Sequence, residues 1–276
     1  VLDLTERDTA VAAGTQVAAR LIGASGASGR VLGDGHHVVL RVDPGPVVAK
    51  VGTDATAAAV LGFEADVCTH LHASGAPAGT PIGGLVLDTD SGLPVTLWEW
   101  IRPAADPRFD AVDVAQALVA VHGALATWAG PVPSCAVEVR RAAEALTGPV
   151  VTARLGLEDR SLLGRVLAEI GAEVLDDETG WQVLHGDPHA GNIVSSPDGP
   201  VFVDFEAVCR GPLEWDLASL EPAVARAVNG VDERRLERCR LLTSARVAVW
   251  CAAGEDRPFL RRHAAHHLAV LRRARR

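Results

Sequence analysis

The stretch Leu184-His185-Gly186-Asp187-Pro188-His189-Ala190-Gly191-Asn192, followed by Val201-Phe202-Val203-Asp204-Phe205-Glu206, decides how the rest of this chain is read. An acid stands at 187, an amide five residues later at 192 and a second acid twelve beyond that at 204, each beside a short apolar run. Gly186 and Gly191 let the backbone bend tightly, and Pro188 with the glycines opposes a helix. A polar turn after a strand, with Asn192 capping something local, is the plain alternative. The matched spacing to Asp-Phe-Glu argues against it.

Phosphoryl transfer of the kinase type needs such a set: one carboxylate for the attacking hydroxyl, and an amide and a carboxylate for Mg²⁺. Asp187 is the candidate acid/base, and Asn192 and Asp204 are the candidate metal ligands. One amide and one carboxylate suffice for Mg²⁺, which keeps several waters and takes the rest of its oxygens from nucleotide phosphates. His185 is read as orienting the loop through hydrogen bonds. The only lysine of the chain, Lys50, lies in the strand-like run Val47-Val48-Ala49-Lys50-Val51, while every other position of the 26 Lys+Arg is arginine. It suits the nucleotide phosphates, held by Glu64 from a long helix fourteen residues on; Glu99 and Asp66 are the alternative partners. Leu97-Trp98-Glu99-Trp100-Ile101 would form a hinge in which the Glu99 carbonyl and the Ile101 amide meet the nucleotide base. The glycine-rich pieces at 23–29 and 33–35 lack the Gly-Lys-Ser/Thr ending of a P-loop. His36/His37, His70/His72 and His266/His267 form no credible metal-ligand set.

The composition fits a folded chain of one large domain or two lobes: 276 residues, 48% hydrophobic and 22% charged. No run is long enough for a membrane span, and the acidic, mixed N-terminus is not a signal peptide. Five dispersed cysteines, none in a CxxC pair, favour reduced thiols and a cytoplasmic location. The net charge of −9 is concentrated in the middle of the chain. That disfavours nucleic acid as a partner and would steer a cationic substrate. The basic tail (Arg261, Arg262, Arg272, Arg273, Arg275, Arg276) fits the end of a helix, complementing its dipole.

Along the chain, helical spacing covers 8–22, and two strands meet at the Asp43-Pro44-Gly45 turn. Thr53 or Asp54 caps a long helix running to about Ala73. A second hairpin turns at Asp90-Ser91-Gly92. Past Arg102-Pro103 the segments 110–129, 136–146, 160–175, 213–228, 233–252 and 259–275 read as helices, interrupted by short strands within 181–204. The expected fold class is α+β and bilobal. Residues 1–101 form an N-terminal mixed β-sheet lobe with a long helix, with the hinge at 97–103. Residues 102–276 form a mostly helical C-terminal lobe.

The pieces HGDPHAGN (185–192), VFVDFE (201–206) and GPLEWDLASL (211–220), with VVAKV (47–51) and Glu64, resemble the aminoglycoside phosphotransferase and choline-kinase-like family. The resemblance implies a protein-kinase-like fold with a nucleotide cleft between lobes. It also implies Asp187 as catalytic acid/base, Asn192 and Asp204 on Mg²⁺, Lys50 on ATP phosphates, and Asp216 as a buried acid bracing the catalytic loop. The hinge departs from the family in ending on Arg102-Pro103. Eleven residues between Asp204 and Asp216 leave no room for a regulated activation loop, and His-Gly-Asp stands where protein kinases have His-Arg-Asp.

The expectation is therefore an ATP- or GTP-dependent, Mg²⁺-dependent phosphotransferase. Its acceptor would be a hydroxyl of an aminoglycoside-like antibiotic, an amino alcohol or a sugar, and an antibiotic acceptor would imply a role in resistance. Two rivals are a catalytically inactive kinase-fold nucleotide-binding or regulatory module, and an interaction protein using its basic C-terminal helix.

Overall fold

A computed structural model describes residues 4–35, 37–54, 56–105, 108–254 and 257–274. His36, Arg275 and Arg276 of the readings above lie outside them. By compactness the chain divides into two units: Val1–Trp128 with Gly191–Ala207, and Ala129–Ala190 with Val208–Arg276.

The first unit is built on a five-stranded sheet in the order β1-β2-β3-β5-β4: β1 Ser28–Asp34, β2 His37–Asp43, β3 Val47–Gly52, β4 Val86–Leu87 and β5 Pro94–Glu99. Where a mixed sheet was expected, all four pairings are antiparallel. The cause lies in the strand order: short turns join β1, β2 and β3 and also β4 and β5. Although the crossover through α2 (Ala57–Ala73) brings β4 back in the same sense as β3, β5 stands between the two.

Strand alternation gives the sheet two different faces. Val38, Leu40, Val42, Ala49, Val51, Val95 and Leu97 are buried in one cluster with Ala10, Ala13, Val17 and Ala18 of the N-terminal helix α1 (Leu4–Ile22). The residues between them, Val39, Lys50 and Thr96, form one cross-strand row on the other face. Gly14 brings α1 close to the sheet, because a methyl at that position would lie 2.7 Å from both Leu40 Cδ1 and Val51 Cγ2.

Asp54 starts α2, its Oδ1 accepting the amides of Thr56 at 2.7 Å and Ala57 at 3.3 Å. The buried stripe of α2 is Leu61, Glu64, Ala65, Cys68 and Leu71. That is helical spacing with one carboxylate set among apolar side chains. The turn before β5 is folded by buried Asp88, whose Oδ2 accepts from the Ser91 amide at 2.9 Å and the Ser91 hydroxyl at 2.8 Å. Helix α3 (Ala111–Leu125) and the hairpin of β7 (Ile193–Ser196) and β8 (Gly199–Phe202) complete this unit.

The second unit is helical: α4 Ala136–Thr147, α5 Pro149–Arg154, α6 Leu157–Arg165 continuing through a π-turn at Val166–Ile170 into α7 Gly171–Leu175, α8 Leu213–Leu217, α9 Pro222–Ala227, α10 Glu233–Ala253 and α11 Pro258–Ala274. One short pair, β6 (Gln182–Leu184) with β9 (Cys209–Gly211), lies among them. The single helix expected over 213–228 is two helices. Pro222 opens α9 at its first turn, and the residue before it, Glu221, is extended with φ −61° and ψ 145°, as a following proline demands. Ala264, Leu268 and Leu271 of α11 are buried, and Arg272 pairs with Asp159 at 2.5 Å, so the basic helix is an integral part of this unit. All five cysteines are free thiols, and burial pushes Cys135 and Cys239 up to about 12. Among the described residues no helix is long and apolar enough to cross a membrane.

Two glycine substitutions should separate packing from helix propensity. Gly123→Ala in α3 meets nothing within 4 Å and should raise stability by up to about 1 kcal/mol. Gly14→Ala should lower it by about 1 kcal/mol or more through overpacking against Leu40 and Val51. Urea denaturation midpoints of the two variants measure the difference, which should carry opposite signs.

Candidate functional site

Lys50 sits in the middle of β3 on the face opposite α1, opposite Val39 and Thr96 in register. Its side chain is buried and three carboxylates surround its ammonium. Nζ lies 2.8 Å from Glu64 Oε2, 2.9 Å from Asp204 Oδ1 and 2.5 Å from Glu206 Oε1. Of the three partners considered for Lys50 from sequence, Glu64 is the one at hydrogen-bonding distance; Asp66 and Glu99 are exposed. Glu64 is tied down a second time, its Oε1 accepting the Phe205 amide at 3.1 Å. The α2 stripe thus fixes both Lys50 and the turn that carries Asp204 and Glu206.

The charges in this cluster govern one another. Burial acts to lower the Lys50 pKa, but Glu64, Asp204 and Glu206 together more than offset it and hold the ammonium charged well above its ordinary range. Burial lifts the Glu64 carboxyl to about 7; Lys50 pulls it back, while Asp204 and Glu206 push it the same way as burial. For Glu206 burial is outweighed by the contacts with His37 and Lys50, and its carboxyl falls to about 2.

Asp204 has φ +67°, the left-handed region, and is the sole non-glycine with positive φ among the described residues. Such a backbone costs roughly 1–3 kcal/mol and aims the carboxylate at Lys50. A cavity of about 590 Å³ opens beside the cluster, with Lys50, Glu64, Asn192 and Asp204 on its wall. Glu99 and Ile101 also line it, together with Trp98 and Trp100. The ring of Trp100 carries the Arg41 guanidinium 4.7 Å from its centroid, and Trp98 Nε1 donates to Thr96 Oγ1 at 3.1 Å. The structure therefore collects six of the residues singled out in the sequence (Lys50, Glu64, Glu99, Ile101, Asn192 and Asp204) around one space.

Carboxylate oxygens of Glu64, Asp204 and Glu206 fall within 4.8 Å of one another. An all-oxygen donor set of this kind, with the Asn192 amide beside the same cavity, fits a hard divalent cation such as Mg²⁺.

The remaining three, Asp187, His185 and Asp216, belong to the second unit. Asp216 is fully buried, and its carboxylate receives two backbone amides, His185 N–H at 2.9 Å and Gly186 N–H at 2.8 Å. Trp215 Nε1 donates to the Gly186 carbonyl at 3.2 Å, and Gly186 itself has φ +89°. His185 is fully buried, with Nδ1 accepting the Asp187 amide at 3.4 Å. The Asp187 side chain is 47% exposed, 3.7 Å from His189 Nε2. A buried frame thus holds the backbone on both sides of residue 186 and leaves the acid accessible.

Sequence reasoning missed Glu206 and His37. His37 Nε2 lies 3.0 Å from Glu206 Oε1. Both signals were present: Glu206 is two residues past Asp204, with buried Phe205 between them, and strand alternation puts His37 on the same face of β2 as Val39.

With this geometry in place, the comparisons with known proteins are specific. A model of the phosphotransferase enzyme family matches residues 29–266. The choline/ethanolamine kinase family protein from Mesorhizobium loti is similar in structure, with TM-score 0.66 at 17% identity, covering 97% of this chain and 94% of its own. The aminoglycoside-3'-phosphotransferase of type VIII has TM-score 0.57 at 26% identity, covering 83% and 98%. An amicoumacin kinase in complex with AMP-PNP, Ca²⁺ and Ami has TM-score 0.64 at 11% identity, covering 88% and 87%. No curated protein sequence matches the chain. The fold is α+β and protein-kinase-like.

The Glu206 carboxyl binds its proton more weakly folded than unfolded, so it stabilises the fold above about pH 4.5, and that contribution is lost as pH falls toward 2. Urea melts over this range should show wild type losing up to about 2 kcal/mol more than Glu206→Gln. Parallel pH profiles for the two proteins would show that Glu206 is not held by these contacts.

Proposed function

We propose that this chain, which belongs to the phosphotransferase enzyme family, moves the γ-phosphoryl group of ATP or GTP to a hydroxyl of a small polar molecule. The observation that carries the reading is the single lysine of the sequence, buried among Glu64, Asp204 and Glu206 on the wall of a 590 Å³ cavity. A buried charge cluster costs several kcal/mol unless its groups are paired, so its position beside an open space argues for ligand chemistry.

In this reading the Lys50 ammonium binds nucleotide phosphate oxygens and Glu64 fixes its direction. Main-chain groups of Glu99 and Ile101 meet the base, between Trp98 and Trp100. Asn192 and Asp204 would hold Mg²⁺, which would neutralise charge on the phosphates. Asp187 accepts the proton of the acceptor hydroxyl as its oxygen forms a bond to the γ-phosphorus. The bond from that phosphorus to the bridging oxygen breaks, and ADP or GDP leaves. Asp216 serves this step at one remove, by holding the His185 and Gly186 amides. His185 does likewise through its contact with the Asp187 amide.

The acceptor belongs to the class of aminoglycosides, amino alcohols and sugars. The excess of acidic residues (35 against 26 basic) favours a cationic one. The similar solved structures include a choline/ethanolamine kinase family protein and an aminoglycoside-3'-phosphotransferase, which supports the same range.

A coupled ADP-release screen over these three acceptor classes tests the reading, with Asp187→Ala as the blank. At least one acceptor should stimulate release, and the variant should lose about 10²–10⁴-fold in kcat while still binding nucleotide; undiminished turnover removes Asp187 from the reaction. Lys50→Met should raise the nucleotide KM by at least about tenfold, and a variant with wild-type KM and kcat would take Lys50 out of the site.

A further inference from the structure

An ammonium has three N–H groups and no more. Two of the N–H groups of Lys50 are given to Glu64 and Asp204, and Glu206 crowds the ammonium in ion-pair contact, all three within 2.9 Å of Nζ. A phosphate oxygen therefore finds room on this ammonium only if one of them gives way. Glu64 is poorly placed to leave, because its side chain is 3% exposed and its second oxygen holds the Phe205 amide. Asp204 is set by an unusual backbone conformation that directs it toward Lys50. Glu206 differs from both. Its Oε1 is shared between Lys50 Nζ at 2.5 Å and His37 Nε2 at 3.0 Å. Among the described residues it is the one carboxylate of the three with a second side-chain donor at hand.

We propose that Glu206 is an internal stand-in for phosphate on Lys50, and that His37 is the positioning residue that retains Glu206 when a nucleotide takes the lysine. The proposal deepens the reading of Lys50 as a phosphate-binding residue and rests on it. The exchange makes and breaks polar contacts only, and no covalent bond changes. Lys50 exchanges its contact with the Glu206 carboxylate for one with phosphate, and Glu206 keeps the His37 imidazole 3.0 Å from the same oxygen. Without that imidazole beside it Glu206 would lose its nearest polar neighbour once Lys50 turns away, and a carboxylate left unpaired in a partly buried place is costly. His37 therefore lowers the cost of opening Lys50. His37 is well placed for this because it begins β2 in the antiparallel ladder, paired with Gly52 of β3, two positions past Lys50 on the same face of the sheet. A rigid strand, and not a loose loop, carries the receiving donor.

The test is isothermal titration with ADP in EDTA, which reads the lysine–phosphate contact without a divalent cation and without turnover. Glu206→Gln should bind ADP about tenfold tighter than wild type, because a neutral amide competes poorly with phosphate for an ammonium. His37→Ala should bind about three- to tenfold weaker, and His37→Gln, which keeps an N–H donor at similar reach, should return to near wild type. The double variant His37→Ala/Glu206→Gln should match Glu206→Gln alone, since His37 has nothing left to retain. Thermal melts check that each variant folds; if His37→Ala does not, His37→Gln and Glu206→Gln carry the comparison. Glu206→Gln binding ADP no tighter than wild type overturns the proposal, as does a double variant in which the two effects add. A wild-type chain that binds no ADP at any concentration brings down the nucleotide reading of the site, and this proposal with it.

Discussion

One buried ammonium among three carboxylates organises the first unit of this protein. Lys50 cannot be buried alone, because desolvating an ion costs several kcal/mol that only close partners offset. Glu64, Asp204 and Glu206 supply more negative charge than one lysine neutralises; burial first, and the two neighbouring carboxylates after it, lift the Glu64 carboxyl to about 7 against the pull of Lys50. Elements far apart in sequence are joined by this cluster: β3, helix α2 and the turn at Phe205–Ala207. A cluster with excess acid beside a cavity is electrostatically unfinished. It favours an added cation on the acids, or an added anion on the lysine once an acid withdraws.

The scaffold makes that cluster possible through strand alternation. The same six residues of β3 place Val47, Ala49 and Val51 in the α1 core and Val48 and Lys50 on the cavity wall. Sliding the strand by one residue would bury the lysine under α1 and turn alanine and valine to the cavity. The close seat of α1 at Gly14 therefore bears on the site, since the helix packs on the residues that alternate with Lys50.

The second unit solves a different problem, holding an irregular loop still while leaving its acid exposed. Asp216 accepts two consecutive backbone amides and Trp215 donates to the carbonyl of Gly186, so adjacent residues of α8 fasten both the N–H and the C=O of residue 186. A buried carboxylate is tolerable when charge-assisted hydrogen bonds satisfy it. Asp216 meets that condition with main-chain donors, which hold the loop independently of any side-chain rotamer.

Much of this was legible in the sequence, since it depends on residue type at fixed spacing. The loop acid and amide five apart, the later Asp-Phe-Glu, the lone lysine in a strand-like run and a glutamate on an apolar helical stripe each imply chemistry without reference to distant residues. Local pattern likewise narrowed the start of α2 to Thr53 or Asp54, of which the structure uses Asp54, and placed the strand turns. Other features were decided by tertiary structure, because they are relations between segments. An antiparallel sheet differs from a mixed one in which strands lie side by side, here β5 between β3 and β4; the break in the 213–228 helix is by contrast local, set by Pro222 acting on the residue before it. Glu206 and His37 are the clearest case. Each is an ordinary polar residue in its own segment, separated by 169 positions in the chain, and what makes them informative is that folding brings one carboxylate oxygen between an imidazole and the only lysine. Residue types and their places along the chain are set by sequence; long-range packing alone decides which of these groups come within reach of one another.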